Sequence, residues 1–427
     1  MRNKKSAELF KKTIKIIPLW TQTFSKSHLL YYKGDIPHFI EKGEWCFVWD
    51  IDGNKYIDYV SWLSALVLWY NCKEVNDAIQ KQLKNWILFS LASPLEYELS
   101  KKLTEIIPCA EMVRFGKSWT DATSSAIRLA RYVTKREKVA VCWYHGRQDR
   151  YIWSTTRNGG VPKCVQNLTL KFEYNNISSL EKIFSQNPKE IAAIIMEPMT
   201  TEEPKDNFLQ KVKDICHKHG ALFILDETVT WFKLSIGWAQ KHFWVTPDLA
   251  AFGKSMGNGM PISALVGKRE YMQKVEEIFF SWTYLWESLS MAAAIATINF
   301  MQKNKVQEKI YKIWWMFIKW LRTLIKKHWL DQCISIAWYN NQSVCLFQDY
   351  KWIKAIQIKS YLQKELLEKG ILWIGNLNMN YAHTENIIRK SLVIFDSCLG
   401  ILQKKISNKT ILKEIKGKEI NDIFRIR

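Results

Sequence analysis

Two apolar stretches, ALFILDE and DLAAFGK, each run into a charged residue that a strand interior would not tolerate unpaired. Asp226 ends the first and Lys254 follows the second. Open α/β sheets bind ligands beyond the carboxyl ends of their strands, so both side chains are expected at one site. A carboxylate that keeps a pyridine nitrogen protonated, together with a lysine amine that forms a Schiff base, is what pyridoxal 5′-phosphate chemistry requires. Burial and a neighbouring pyridinium would hold such a lysine toward its neutral, nucleophilic form. Taken singly, Lys254 reads as a surface lysine and Asp226 as a helix-capping residue. The pair, in this context, carries the chemical reading.

The triplet Gly253-Lys254-Ser255 also invites a nucleotide phosphate loop, which needs a further glycine five residues before the Gly-Lys pair. Asp248 stands there, and Glu111 stands at the equivalent place before Gly116-Lys117-Ser118. Both matches therefore fail.

These residues need a sheet to position them. From about residue 75 to 330, helical patterns alternate with short apolar runs: VNDAIQKQLKNW, MVRFG, ATSSAIRLARYVT, KVAVCW, AAIIMEP, FLQKVKDICHKHG, ALFILDE and DLAAFGK. That alternation predicts a mostly parallel α/β sheet flanked by helices. Residues 1–74 read as a basic amphipathic helix, a connecting arm and a hairpin, CFVWDIDGNKYIDYV, turning at Asp52-Gly53. Residues 331–427 change character, with a strand SVCLFQ and a helix IKSYLQKELLEKG, and suggest a smaller α+β domain.

Composition narrows the partners. A chain of 427 residues with 48% hydrophobic content buries a sizeable core. No apolar run reaches the roughly 18 residues of a membrane span, and the lysine-rich N-terminus lacks a signal peptide's apolar region, so the expected address is cytoplasmic. Nine scattered cysteines without a C-x-x-C pair point to reduced thiols and no metal site. The net charge of +21 is spread along the chain rather than clustered, which reads as a lysine-rich surface that attracts anionic substrates, not as a nucleic-acid face.

The block LFILDETVTWFKLSIGWAQKHFWVTPDLAAFGKSMGNGMPISALVGKREYM resembles the signature of class III aminotransferases, pyridoxal-phosphate enzymes of fold type I. CFVWDIDGNKYIDYVSW is similar to that family's D-x-D-G-x-x-Y-I-D stretch, RFGKSWTDATSSAIRLAR to its S-G-T-E-A phosphate block, and WYHG to the segment whose aromatic stacks on the cofactor. The resemblance covers nearly the whole chain and extends to glutamate-1-semialdehyde 2,1-aminomutases. It implies that Asp226 pairs with the pyridine nitrogen and that Lys254 bears the cofactor and shuttles protons. It also implies Tyr144 against one ring face, Thr228 on the other where the family has Val or Ile, and Ser118, Trp119 and Thr120 around the phosphate at a helix N-terminus. Thr283, in SWTYLWESLS, resembles the threonine with which a neighbouring subunit completes the phosphate site, so a homodimer with shared active sites is implied. Glu197 matches the family's E-P at a strand end and reads equally as a solvated carboxylate. His145 reads first as a buried, satisfied histidine and second as a substrate contact. The partners implied are a small-molecule amino donor and a carbonyl acceptor.

Three departures stand out. Lys233 replaces the family's usual arginine. The region PLWTQTFSKS has no arginine where aminomutases carry a carboxylate-binding N-S-P-V-R, so an aminotransferase acting on a sugar or another ketone competes with the aminomutase reading, as does a non-catalytic protein of the same fold. Tryptophan is also misplaced. About 30 glycines are expected at this length; the chain has 17, outnumbered by 21 tryptophans. Trp45, Trp62, Trp119, Trp143, Trp231, Trp238, Trp244, Trp282 and Trp286 all fall where the family favours glycine, whereas Trp49 matches a family aromatic. One mechanism accounts for many such positions: a codon read as glycine in the source organism, UGA being the candidate, translated here as tryptophan. An indole at residue 119 would project where backbone must approach phosphate.

Overall fold

The computed structural model describes residues 2–199, 202–230, 238–337 and 342–421. The chain divides into two compact units, one of Met1–Cys72 with Glu308–Ile423 and one built on Lys73–Gln307.

The second unit is organised around a seven-stranded sheet. Its strands, in chain order, are β1 (Met112–Gly116), β2 (Lys138–Cys142), β3 (Thr169–Lys171), β4 (Ile191–Met196), β5 (Leu222–Asp226), β6 (Leu249–Phe252) and β7 (Ser263–Gly267). They lie in the order β1-β7-β6-β5-β4-β2-β3. Pairing is parallel from β3 through β6, and β7 runs antiparallel to both its neighbours. The sheet is therefore mixed and mostly parallel. Every residue of β4, β5 and β6 is buried, as strands covered on both faces must be.

Alternation within those runs decides which layer each side chain meets. Ile195 of β4 and Ile224 of β5 pack with Ala122, Ala126, Leu129 and Ala130 of the helix Trp119–Thr134. Ile194, Phe223 and Leu225 point the other way, into a cluster with Phe208, Leu209, Val212 and Cys216 of the helix Phe208–Lys218. The helix Trp119–Thr134 begins ahead of the predicted ATSSAIRLARYVT, because Asp121 closes a capping box there: the Ser118 and Lys117 N–H groups donate to its Oδ2 at 2.7 and 3.0 Å.

In the other unit a four-stranded sheet orders Ile40–Glu44, Phe47–Asp50, Lys55–Asp58 and Ile371–Leu372, and a three-stranded sheet orders Ile334–Ala337, Gln342–Phe347 and Asn376–Asn378. The acidic hairpin turn has structural work. Asp50 Oδ1 accepts from the Asp52 and Asn54 N–H groups, while Asp52 accepts from Lys5 and Ser6 at the start of the helix Lys4–Thr13. A carboxylate there offsets both the unpaired amides and the helix dipole.

Tryptophan occupies left-handed backbone repeatedly. Among the described residues Trp20, Trp45, Trp62, Trp86, Trp143, Trp244 and Trp329 have φ between 49° and 90°. That is seven of the chain's 21 tryptophans, where only a few per cent of non-glycine residues adopt this region at all. Trp20, Trp86 and Trp329 were not singled out from sequence.

Trp329 shows the mismatch most plainly. Leu330 N–H donates to the Ile325 carbonyl at 3.0 Å and Trp329 N–H to Lys326 at 2.9 Å, the paired bonds of a Schellman turn with Trp329 at its left-handed position. Trp244 ends the helix Trp238–Phe243 in the same way, with Val245 N–H on the Gln240 carbonyl. The helix Phe208–Lys218 closes with an equivalent pair, Ala221 to Cys216 and Gly220 to His217, and there the left-handed residue is glycine.

Trp244 and Trp329 are 86% and 78% exposed, so their rings contribute little packing to set against the backbone cost. Trp329→Gly and Trp244→Gly should therefore each raise the free energy of unfolding by about 1 kcal/mol. Urea unfolding of the two variants checks this, and a loss of stability in both would contradict the strain argument.

Candidate active site

β5 and β6 run parallel with Asp226 opposite Ala251, and the Glu227 N–H donates to the Ala251 carbonyl at 2.9 Å. That register brings Asp226 and the turn Lys254–Gly257 to the same edge of the sheet. Lys254 itself sits at φ 40°, a strained conformation of the kind that concentrates at functional sites.

Asp226 is shut off from solvent and surrounded by donors. Its Oδ2 accepts from Trp119 Nε1 at 2.7 Å and from His145 Nδ1 at 2.9 Å, and its Oδ1 accepts from the Thr228 N–H at 3.1 Å. Burial alone would raise its pKa; the hydrogen bond and charge of His145, with the Thr228 contacts, outweigh burial and hold the carboxyl below its ordinary range. The other nitrogen of His145, Nε2, lies 2.8 Å from the Cys142 carbonyl. Both ring nitrogens thus face oxygen partners, which fixes the imidazole between the Cys142 carbonyl and Asp226 and lets it brace the carboxyl. His145 is fully buried, and its reach is to Asp226 rather than to a substrate.

Burial pulls the Lys254 amine below its ordinary value, against the opposing charges of Glu197 and Asp226. Its Nζ lies 5.1 Å from the centre of the Trp119 ring. The Tyr144 ring meets that indole edge-on, with centroids 5.3 Å apart and planes at 85°. Glu197, the first residue beyond β4, is half-buried and acts on Lys254 through its charge.

At the start of the helix Trp119–Thr134, Thr120 Oγ1 accepts from the Arg147 N–H at 3.0 Å, and Ser118 Oγ accepts from the Arg147 guanidinium at 3.1 Å. A helix N-terminus, two hydroxyls and an arginine make a site suited to a phosphate. Arg147 was overlooked in the sequence because it lies three residues beyond Tyr144 and far from RFGKSWTDAT; only the fold joins the two. Thr283 is exposed and is not gathered into this cluster within the chain. Trp231 and Lys233 lie outside the described residues.

A model of the class-III aminotransferases matches residues 31–336. The chain belongs to the class-III aminotransferase family. It is 32% identical, over 93% of its length and 99% of the relative's, to glutamate-1-semialdehyde 2,1-aminomutase 2 of Lachnoclostridium phytofermentans. It is 36% identical, over 72% of its length and 75% of the relative's, to 3-aminobutyryl-CoA aminotransferase of Cloacimonas acidaminovorans. Among solved structures, the pyridoxal phosphate internal aldimine form of the FumI protein of Sphingopyxis sp. superposes with a TM-score of 0.88 at 22% identity, covering 95% of this chain and 98% of that one. A glutamate-1-semialdehyde aminomutase of Pseudomonas aeruginosa superposes with a TM-score of 0.82 at 19% identity, over 94% and 96% of the two chains.

This class-III aminotransferase is accordingly a pyridoxal-phosphate-dependent enzyme of fold type I. The residues around Asp226 fit the cofactor: an aromatic ring whose N–H meets Asp226, between Tyr144 and Lys254, is already present as the indole of Trp119. No helix among the described residues is long and apolar enough to cross a membrane.

Glu227, which sequence reasoning left unassigned, is buried behind Asp226. Its carboxyl takes the Ala239 N–H at 3.0 Å and the Gln240 amide at 2.9 Å. Burial, with the adjacent Asp226 charge, pushes it up to about 7. Between pH 4.5 and 7 the folded chain thus keeps a proton that the unfolded chain has released, so stability falls as pH rises through that window, by about 2–3 kcal/mol. Glu227→Gln should remove this fall: urea unfolding would show the variant gaining on its parent from pH 4.5 to 7. An unchanged difference would show that Glu227 ionises at an ordinary value.

Proposed function

We propose that the chain transfers an amino group between a small-molecule donor and a carbonyl acceptor in the manner of the glutamate-1-semialdehyde aminomutases, with Asp226 and Lys254 as its chemical pair. The observation that carries this reading is the buried Asp226 carboxylate holding an aromatic N–H, with a lowered-pKa lysine amine beside that ring.

When bound, pyridoxal phosphate supplies a carbonyl that takes up amines and a ring that accepts an electron pair. The chain's own residues do the rest. Asp226, kept ionised by His145, holds a proton on the ring nitrogen. Lys254, favoured as a neutral amine by burial, takes a proton from the donor's α-carbon and returns it to the cofactor carbon. Tyr144 and Thr228 border the ring. Ser118, Thr120 and the first-turn amides of the helix Trp119–Thr134 hold the phosphate, with Arg147 adding charge. Glu197 and Asp226 set the electrostatic surroundings of Lys254.

A homodimer belongs to the same proposal. Thr283 is exposed together with Tyr284 at 63% and Phe279 at 78%, an apolar stretch suited to burial against a second copy that would receive Thr283 at its phosphate site. A second substrate reading is favoured by one observation: PLWTQTFSKS lacks the arginine that would bind a substrate carboxylate, which suits an aminotransferase acting on a different ketone or aldehyde.

The test is a Lys254→Ala change made in two parents, one with Trp119 and one with Trp119→Gly, because the indole holds the place of the ring. The parent that takes up cofactor should show visible absorbance and a half-reaction with at least one amino donor. Lys254→Ala should lose the bound-cofactor absorbance and slow turnover by at least about 10²–10⁴-fold; an unchanged spectrum would refute the role of Lys254. Running glutamate 1-semialdehyde beside other acceptors separates the two substrate readings. Arg147→Ala should raise the cofactor dissociation constant about three- to tenfold with little change in melting temperature. Equilibrium dialysis against pyridoxal phosphate measures it, and an unaltered constant would remove Arg147 from the phosphate site.

A further inference from the structure

We infer that residue 119 is glycine in the enzyme as its own cells make it, and that the indole written there occupies the berth of the cofactor ring. The inference rests on the reading of Asp226 and Lys254 as a cofactor site.

The first observation is local. Trp119 Nε1–H donates to Asp226 Oδ2 at 2.7 Å, the oxygen that also receives His145 Nδ1 at 2.9 Å. The ring nitrogen of pyridoxal phosphate would need the same oxygen, approached from the same side. Tyr144 lies across the edge of the indole and Lys254 stands 5.1 Å from its centre, the two neighbours that the cofactor ring requires. Indole and pyridine ring are therefore mutually exclusive. A residue without a side chain at 119 leaves Asp226, Tyr144 and Lys254 facing an open, ring-sized space and leaves the helix N-terminus clear for phosphate.

The second observation is independent of the site. Trp45, Trp62, Trp86, Trp143, Trp244 and Trp329 combine left-handed backbone with exposure, ranging from 38% at Trp62 to 86% at Trp244. An exposed apolar ring gains little from packing, and a left-handed backbone penalises any Cβ, so these positions suit tryptophan on neither count and glycine on the second. The turn built by Gly220 has the same pair of hydrogen bonds as the one built by Trp329, and shares the longer-range bond of that pair with the one built by Trp244. Trp314 is placed as a tryptophan should be: it is buried, and its Nε1 donates to Ser343 Oγ at 2.8 Å. Two populations of tryptophan, one behaving as glycine, point to a codon with a non-standard reading. Trp119 belongs with the first by virtue of what it blocks.

The test has two arms. Protein purified from its own cells is digested with trypsin, and the peptide that follows Lys117 and ends at Arg128 is sequenced by mass spectrometry. Glycine at 119 supports the inference; tryptophan overturns it. In the second arm the chain as written, Trp119→Gly and Trp119→Ala are made recombinantly, and each is checked for folding by circular dichroism and thermal melting. Pyridoxal phosphate uptake is then read by visible absorbance and equilibrium dialysis. Both variants should bind at least about tenfold more tightly than the chain as written, because binding no longer requires breaking the buried indole bond to a carboxylate. Equal affinity in all three forms overturns the claim that Trp119 blocks the ring and leaves the proposed function standing. Uptake by none of three folded forms overturns the cofactor reading, and the inference with it.

Discussion

An ionised carboxylate with no access to water is the constraint around which the active site is arranged. Asp226 gives up hydration that would cost several kcal/mol if nothing replaced it. Three donors replace it: the indole of Trp119, the imidazole of His145 and the Thr228 amide. His145 matters most, because its hydrogen bond and its electrostatic contribution both favour the ionised carboxyl, and its second nitrogen is anchored on the Cys142 carbonyl at the end of β2. The value of this buried pair lies in holding the Asp226 carboxyl below its ordinary range. Without His145, burial would favour a neutral acid at residue 226, and a neutral acid cannot hold a proton on a partner ring.

The sheet delivers this arrangement through register. Parallel pairing of β5 with β6 sets Asp226 beside Ala251, so the chain beyond each strand emerges on one edge. β4 and β2, continuing the sheet, bring Glu197 and the Tyr144-His145 segment to the same edge. The packed helix Trp119–Thr134 presents its N-terminus there as well. Five segments far apart in sequence thus meet where backbone groups are unpaired and dipoles point outward, while the buried apolar faces of the strands hold them rigidly.

The backbone tells a second story. Schellman turns close helices on both tryptophan and glycine in this chain, with the same bonds. The hydrogen-bond geometry of the turn dictates a left-handed residue whatever its side chain, so a ring at that position is tolerated rather than used. At residue 119 a ring is not neutral, because there it takes a hydrogen bond to Asp226, the carboxyl proposed to meet the cofactor ring.

Much of the fold was legible in the sequence, since each fully buried strand is a continuous apolar run and each covering helix has its own periodicity. Asp226 and Lys254 were legible only as a pair: either charge alone has an ordinary structural explanation, but two at the ends of apolar strands point to one site. Four of the left-handed tryptophans could be singled out by their place in family blocks. Trp20, Trp86 and Trp329 could not, because a residue's φ depends on how the chain turns after an element, and bulk alone does not announce it. Nor could sequence reveal that His145 grips Asp226, that Arg147 reaches Ser118, that Glu227 is buried as an acid, or that the indole of Trp119 meets Asp226. Sequence by itself determined which residues could do chemistry and which strands would carry them. Only the tertiary structure decided which of those side chains touch, because contact across the ends of parallel strands is set by register and helix packing, neither of which leaves a local pattern.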